Sequence, residues 1–280
     1  MKIGASFNAP FITENIFQQY KEAGIEYMEV SCSYIDDYDK IDFPKIKELS
    51  EKYGVKLWSY HLPFFPFEEV DISSKCDEIR KKSIGIYRDH ILKAATIGID
   101  KFIIHPSAEP YTDDEREEHI QIAAQSLKTL SEIAQSVGGV LCVENLPRTC
   151  LSRSSADMLK LISLDNNIMV CFDTNHLLIE DLFVFINRLA NRIVTIHVSD
   201  YDFINERHWL PGEGKLDFYK IYKSLLDIGY TGIWNYEVSP FKISTETIQR
   251  TKAIDLKDFY KNAMEIFSGE PLTVYGTPTV

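Results

Sequence analysis

Residues 168–173 read IMVCFD, and His176 stands three positions further on. Five apolar residues in a row describe a buried strand, and this one stops on a carboxylate. Seven more short, β-branched runs surround it: about 2–6 (KIGAS), 26–31 (EYMEVS), 56–61 (KLWSYH), 101–105 (KFIIH), 139–144 (GVLCVE), 192–197 (RIVTIH) and 232–237 (GIWNYE). Helical patterns lie between them. The longest run from about Ser74 to Ile97, where Ile84, Tyr87, Ile91 and Ala95 recur at helical spacing before Gly98, from Asp113 to Val137, and from about Ser244 to Phe267. Strand followed by helix, eight times with no Pro/Gly/Ser-rich linker, predicts an α/β fold of one domain, a (β/α)8 TIM barrel over residues 1–268. The remaining segment, 269–280, has turn composition and reads as a tail on the outside. A doubly wound open sheet is the structural alternative. ASFNAPF after the first strand has no GxGxxG, so a dinucleotide site on such a sheet is not indicated.

The chain has 280 residues, 45% of them hydrophobic, enough for one large α/β domain. There is no apolar run long enough to span a bilayer and no secretory signal at MKIGASFNAPF, which predicts a cytoplasmic protein without a membrane partner. Five cysteines without a CxxC pair suggest neither a disulfide framework nor a cysteine-rich zinc site. A net charge of −12 repels phosphate backbones at long range and argues against a nucleic-acid partner, although a local cationic site overrides a global field. The acidic run DDEREEH at 113–119 reads as the solvated face of a helix.

The strand ends carry the chemistry. Strands three to eight end in His61, His105, Glu144, Asp173, His197 and Glu237, all metal-ligand types. In a parallel barrel the C-terminal strand ends share one face, so side chains far apart in the chain converge there. Two residues back on each strand lie Ser59, Ile103, Cys142, Cys171, Thr195 and Asn235, a mostly small or polar layer that leaves room above it. One such tip is readily explained as a cap or an internal hydrogen bond; six together point to a divalent ion with nitrogen and oxygen ligands, Mn, Mg, Co or Zn. Three carboxylates at one rim also need a cation between them. His90 and His119 fall on helix faces and are assigned to structure.

With VENLP (143–147), DTNH (173–176), HVSD…ERHWLPGEGKLDF (197–218) and YE (236–237), the chain resembles the xylose isomerase-like barrel superfamily, which holds sugar isomerases and epimerases, inosose dehydratases and endonuclease IV. The resemblance implies one divalent ion held by Glu144, Asp173, His197 and Glu237, with His176 and Arg207 at positions that contact substrate oxygens. Endonuclease IV holds three zinc ions. His61, His105, His176 and His208 match additional ligand positions there, and Glu206 stands where that family has Asp, one methylene shorter. The implied activity is proton transfer through an enediolate on a ketose or related polyol ketone, with Glu144 and Glu237 as the two bases. Dehydration and a three-zinc abasic-site nuclease are the alternatives.

Other residues carry weaker signals. Asp200 is expected behind the ligands, GEG at 212–214 is a loop over the site or a plain turn, and Arg148 holds substrate charge or makes a salt bridge. Glu29 points into the barrel or pairs with a Lys or Arg. Phe64, Phe65, Phe203 and Trp209, in loops on the mouth side, offer faces for a sugar or a subunit contact, which leaves a homo-oligomer open.

Overall fold

The computed structural model describes residues 1–280. Eight parallel strands form the sheet: β1 (Lys2–Asn8), β2 (Tyr27–Ser31), β3 (Lys56–His61), β4 (Lys101–Ile104), β5 (Val140–Glu144), β6 (Met169–Asp173), β7 (Ile193–His197) and β8 (Ile233–Tyr236). Their order is β7-β6-β5-β4-β3-β2-β1-β8. The two ends of that list meet: Val198 N–H donates to Asn235 O at 2.8 Å and Glu237 N–H to Val198 O at 3.1 Å. The sheet is therefore a nearly closed barrel, as the strand–helix alternation predicts.

Alternation along each strand separates two interiors. On β5, Leu141 and Val143 face outward into the large core shared with the helices, while Cys142 and Glu144 face the barrel axis, where Ile103, Cys142 and Cys171 form a small buried cluster. The layer two residues below the tips is thus buried and narrow, and it forms the floor of the mouth.

The outer ring is α1 (Glu14–Ala23), α2 (Phe43–Tyr53), α3 (Asp77–Ala95), α4 (Asp113–Ser136), α5 (Ser155–Leu161), α6 (Leu182–Leu189), α7 (Phe218–Asp227) and α8 (Leu256–Ser268). In α4, Ile120, Ala123, Leu127, Leu130 and Ala134 are buried at helical spacing, and Asp113, Asp114 and Glu115 oppose the positive end of the helix dipole. The acidic run is only partly a solvated face. Arg116 turns inward to donate to the carbonyls of Thr149 (2.7 Å) and Cys150 (2.9 Å), and His119 Nδ1 lies 2.7 Å from Ser73 O. His90 is likewise structural, with Nδ1 2.8 Å from the Tyr60 hydroxyl. No helix is long and apolar enough to cross a membrane.

One expected element is wrong in its first half. The helix read from Ser244 begins at Leu256, because Asp255 and Asp258 close a capping box there. Upstream, β9 (Ile248–Arg250) buries Ile248 and Arg250 and exposes Gln249, a period-two pattern that the β-branched stretch ISTETIQ favours over helix. It pairs antiparallel with β10 (Gly276–Pro278), so the closing segment packs beside the loop after β8.

This hairpin is tied to the barrel mouth by a buried ion pair. Arg250 Nε and Nη2 each donate at 2.8 Å to the carboxylate of Glu213, which sits inside the GEG loop, and both side chains are fully enclosed. Removing one partner of such a pair strands a buried charge. Arg250→Met is expected to lower unfolding free energy by about 3–5 kcal/mol, read as a lower urea midpoint. Glu213→Leu in addition is expected to restore most of that loss.

Candidate active site and metal centre

Register decides which tips meet. Asp173 and His197 are direct partners in the β6–β7 ladder, and Glu144 is level with Cys171, one inward step below Asp173. One ligand atom from each of Glu144, Asp173, His197 and Glu237 lies within 4.8 Å of the others. His197 Nδ1 is 3.2 Å from Glu144 Oε1, 3.3 Å from Glu237 Oε2 and 3.8 Å from Asp173 Oδ2. Two of these oxygens, Asp173 Oδ2 and Glu237 Oε2, are buried and accept no hydrogen bond. Orphaned acceptors of this kind are costly unless a donor or cation fills the gap. The four side chains therefore fit a divalent ion with nitrogen and oxygen donors.

Backbone and carboxylate partners hold each group in place. Asn145, next to Glu144, accepts from Asp173 N–H at 2.8 Å and donates to Asp173 O at 2.9 Å, locking the ends of β5 and β6 together. His197 presents Nε2 to Glu29, 3.0 Å away, and so turns Nδ1 toward the ligand group. Glu29 also accepts from Ser59 at 2.6 Å; its partners are these two, not a Lys or Arg. Its inward aim follows alternation on β2, where Met28 and Val30 face the outer core, and the extra residue Trp58 in β3 brings Ser59 opposite it.

Two further clusters flank the central one. His61, His105 and Glu144 can converge on one point, as can His176, Glu206 and His208. His61 Nδ1 lies 2.9 Å from Leu62 O and its Nε2 3.0 Å from Glu144; His176 Nδ1 lies 2.9 Å from Asn145 O and its Nε2 3.3 Å from Glu206. In each ring one nitrogen is fixed by a backbone carbonyl and the other faces a carboxylate, where it carries a proton or meets a cation. Burial alone would lower the His176 pKa, but Asp173, Glu144 and Glu206 outweigh it and hold the imidazole well above its usual range. Burial drives Asp173 the other way from an ordinary carboxyl, well upward, reinforced by Glu237 and Glu144.

Several expected participants stand elsewhere. The guanidinium of Arg207 is held by Asp202, with Nε and Nη2 both 2.8 Å from Oδ2, and it borders a shallow outer cavity instead of the one that holds Glu144. Arg148 is spent on Glu109 (2.5 Å) and Glu206 (2.8 Å). Asp200 sits behind the GEG loop: its carboxylate accepts from the N–H groups of Tyr201, Gly212, Gly214 and Leu216 at 2.8–3.1 Å. Burial pushes its pKa up to about 6 against those four donors. A Cβ at position 214 would collide with Asp200 and with the Tyr201 carbonyl, so glycine is required there. Phe64 and Phe65 do line the cavity, Phe64 stacking on His105 at 4.3 Å, whereas Trp209 is buried and donates to Thr247 at 3.0 Å and Phe203 faces solvent.

The family model described as xylose isomerase-like TIM barrel matches residues 17–261. The chain belongs to this family. Among xylose isomerase-like barrels it is similar to an uncharacterized protein of Methanocaldococcus jannaschii, 24% identical over 95% of this chain and 90% of that one. It is also similar to the D-psicose 3-epimerase of Ruminiclostridium cellulolyticum, 24% identical over 77% of this chain and 74% of the relative. The crystal structure of a D-tagatose 3-epimerase-like protein superposes with a TM-score of 0.73 at 23% identity, over 84% of this chain and 90% of that one. Its relatives in this family thus include sugar 3-epimerases.

Asn145 was visible in the sequence only as the third letter of VENLP. Its replacement by Leu strands the Asp173 backbone groups and is expected to cost about 2–3 kcal/mol of stability. Isothermal titration with Mn²⁺ is expected to show at least tenfold weaker binding in Asn145→Leu than in the parent protein.

Proposed function

We propose that this chain is a divalent-metal-dependent sugar epimerase or isomerase, acting on a ketose or related polyol ketone. The observation that carries the proposal is the four-residue group Glu144, Asp173, His197 and Glu237, with two buried carboxylate oxygens that accept no hydrogen bond from the chain. The similarity to sugar 3-epimerases supports it.

A divalent cation held by these four side chains supplies Lewis-acid polarisation of a carbonyl and its neighbouring hydroxyl. The chain supplies the bases. Glu144 enters the cavity from β5, steadied by His61 at 3.0 Å and His105 at 3.4 Å, and Glu237 enters from the end of β8, with His208 beside it at 3.7 Å. One carboxylate removes the proton on the carbon next to the carbonyl, and the other returns a proton to the opposite face. His176, its Nδ1 anchored on Asn145 O, directs Nε2 into the cavity and can donate to the oxygen on which negative charge develops. Phe64 and Phe65 line the wall and reduce water access to that charge.

The flanking groups His61–His105–Glu144 and His176–Glu206–His208 would allow three zinc ions and an abasic-site nuclease resembling endonuclease IV. Against it, Arg148 is already neutralised by two carboxylates, and the net charge of −12 disfavours a phosphodiester substrate. Metal analysis of the purified chain separates the two. One ion per chain is expected; three tightly held zinc ions with incision of an abasic duplex would replace the epimerase reading with the nuclease.

Glu144→Gln and Glu237→Gln are each expected to lower kcat on a ketose about 10²–10⁴-fold. Incubation in deuterated solvent with Mn²⁺ or Co²⁺ is expected to place deuterium at the substrate α-carbon, followed by NMR. Chelation should stop the exchange and added metal should restore it. Absence of exchange over a broad ketose panel in the metal-loaded parent protein would refute proton transfer.

A further inference from the structure

Two cavities share Glu237 and His208 in their walls. The inner one, about 240 Å³, holds Glu144, His61, His105 and His176. The outer one, about 520 Å³, opens between the end of β1 and the loop after β8. Small-molecule sites ordinarily measure about 300–1,000 Å³, so the inner cavity alone is undersized. Glu237 and His208 stand at the junction of a two-armed cleft.

The outer arm is furnished for a particular kind of ligand. Phe11 and Phe241 are 66% and 42% exposed, with no neighbouring segment covering them, and Phe7 lines the arm alongside. Ser6, Ser31 and Ser239 add short hydroxyls to the same wall, with Asn8 and Lys242 as its other polar groups. Flat apolar faces interleaved with small hydrogen-bonding groups match a sugar ring, which has C–H faces and a hydroxyl rim. Phe241 also has a φ of 64°, a left-handed conformation that a bulky residue adopts at a cost. It is imposed from behind: Phe241 N–H donates to Ile254 O at 2.7 Å, and Arg250 N–H to Ile243 O at 2.8 Å. The loop is thus tied by its backbone, and Phe241 lines the arm.

We propose that the substrate is a ketose carrying a second sugar ring, the ketose unit in the inner cavity and the appended ring in the arm between Phe11 and Phe241. The proposal rests on the sugar-epimerase reading for its chemistry, and on the arm alone for its substrate class.

The test compares D-fructose with three glycosylated ketoses, turanose, maltulose and isomaltulose, linked at different ketose hydroxyls. With the Mn²⁺-loaded parent protein, at least one disaccharide is expected to exchange its α-hydrogen with kcat/KM at least tenfold above that of fructose. Phe11→Ala and Phe241→Gly are expected to lower the disaccharide value at least tenfold more than the fructose value. Equal kcat/KM for fructose and all three disaccharides, or equal losses on both in the variants, would overturn the proposal. Calorimetric binding to Glu144→Gln provides a readout independent of turnover. Disaccharide affinity tenfold above that of fructose, and lost in Phe11→Ala, supports the arm even where no exchange occurs, an outcome that would sink only the epimerase reading. Affinity no better than for fructose overturns the arm.

Discussion

Carboxylates cannot crowd together in a buried place without something positive among them. At the mouth of this barrel Glu144, Asp173 and Glu237 converge, and the ion-pairing groups within 4 Å of them are all histidines, with no Lys or Arg. The surrounding structure serves that arrangement. Asn145 fixes the main chain of Asp173, Glu29 turns the His197 ring, and the narrow layer of Cys142 and Cys171 supports the group from below. Such a gathering of carboxylates and imidazoles fits the divalent cation proposed for this site.

Much of the site was legible because parallel barrels convert strand order into proximity. A reader who places the ends of VLCVE, IMVCFD and RIVTIH has already placed Glu144, Asp173 and His197 on one face, since alternation settles which side chains point inward. What resisted reading lies where no period applies. Arg207 pairs with Asp202 five residues earlier, a loop geometry that spacing does not reveal, and Asp200 serves the GEG backbone for the same reason. The partner of Glu29 depends on a bulge at Trp58 in β3, which shifts the ladder by one residue and sets Ser59 opposite Glu29. In the segment 244–255 the β-branched content favours a strand at Ile248–Arg250, and the Asp255 cap delays the helix to Leu256, so the helical pattern that begins at Leu256 does not extend back to Ser244.

The two arms of the cleft divide labour between different parts of the fold. Strand ends carry the charged groups, and their positions are set by ladder hydrogen bonds that tolerate little change. In the outer arm Ser6, Phe7 and Ser31 stand on the ends of β1 and β2, while Ser239 and Phe241 stand in the loop after β8, whose hairpin is tied to the GEG loop through Arg250 and Glu213.

The pairing of β9 with β10 has a consequence for how such a molecule diversifies. The loop following β8 leans on residues 276–278, so one wall of the mouth is braced from outside the cylinder by a strip that shares no ladder with it. Insertions or exchanges in that strip can recontour the entrance while leaving the eight-strand framework untouched, which lets selection retune what enters without disturbing what reacts.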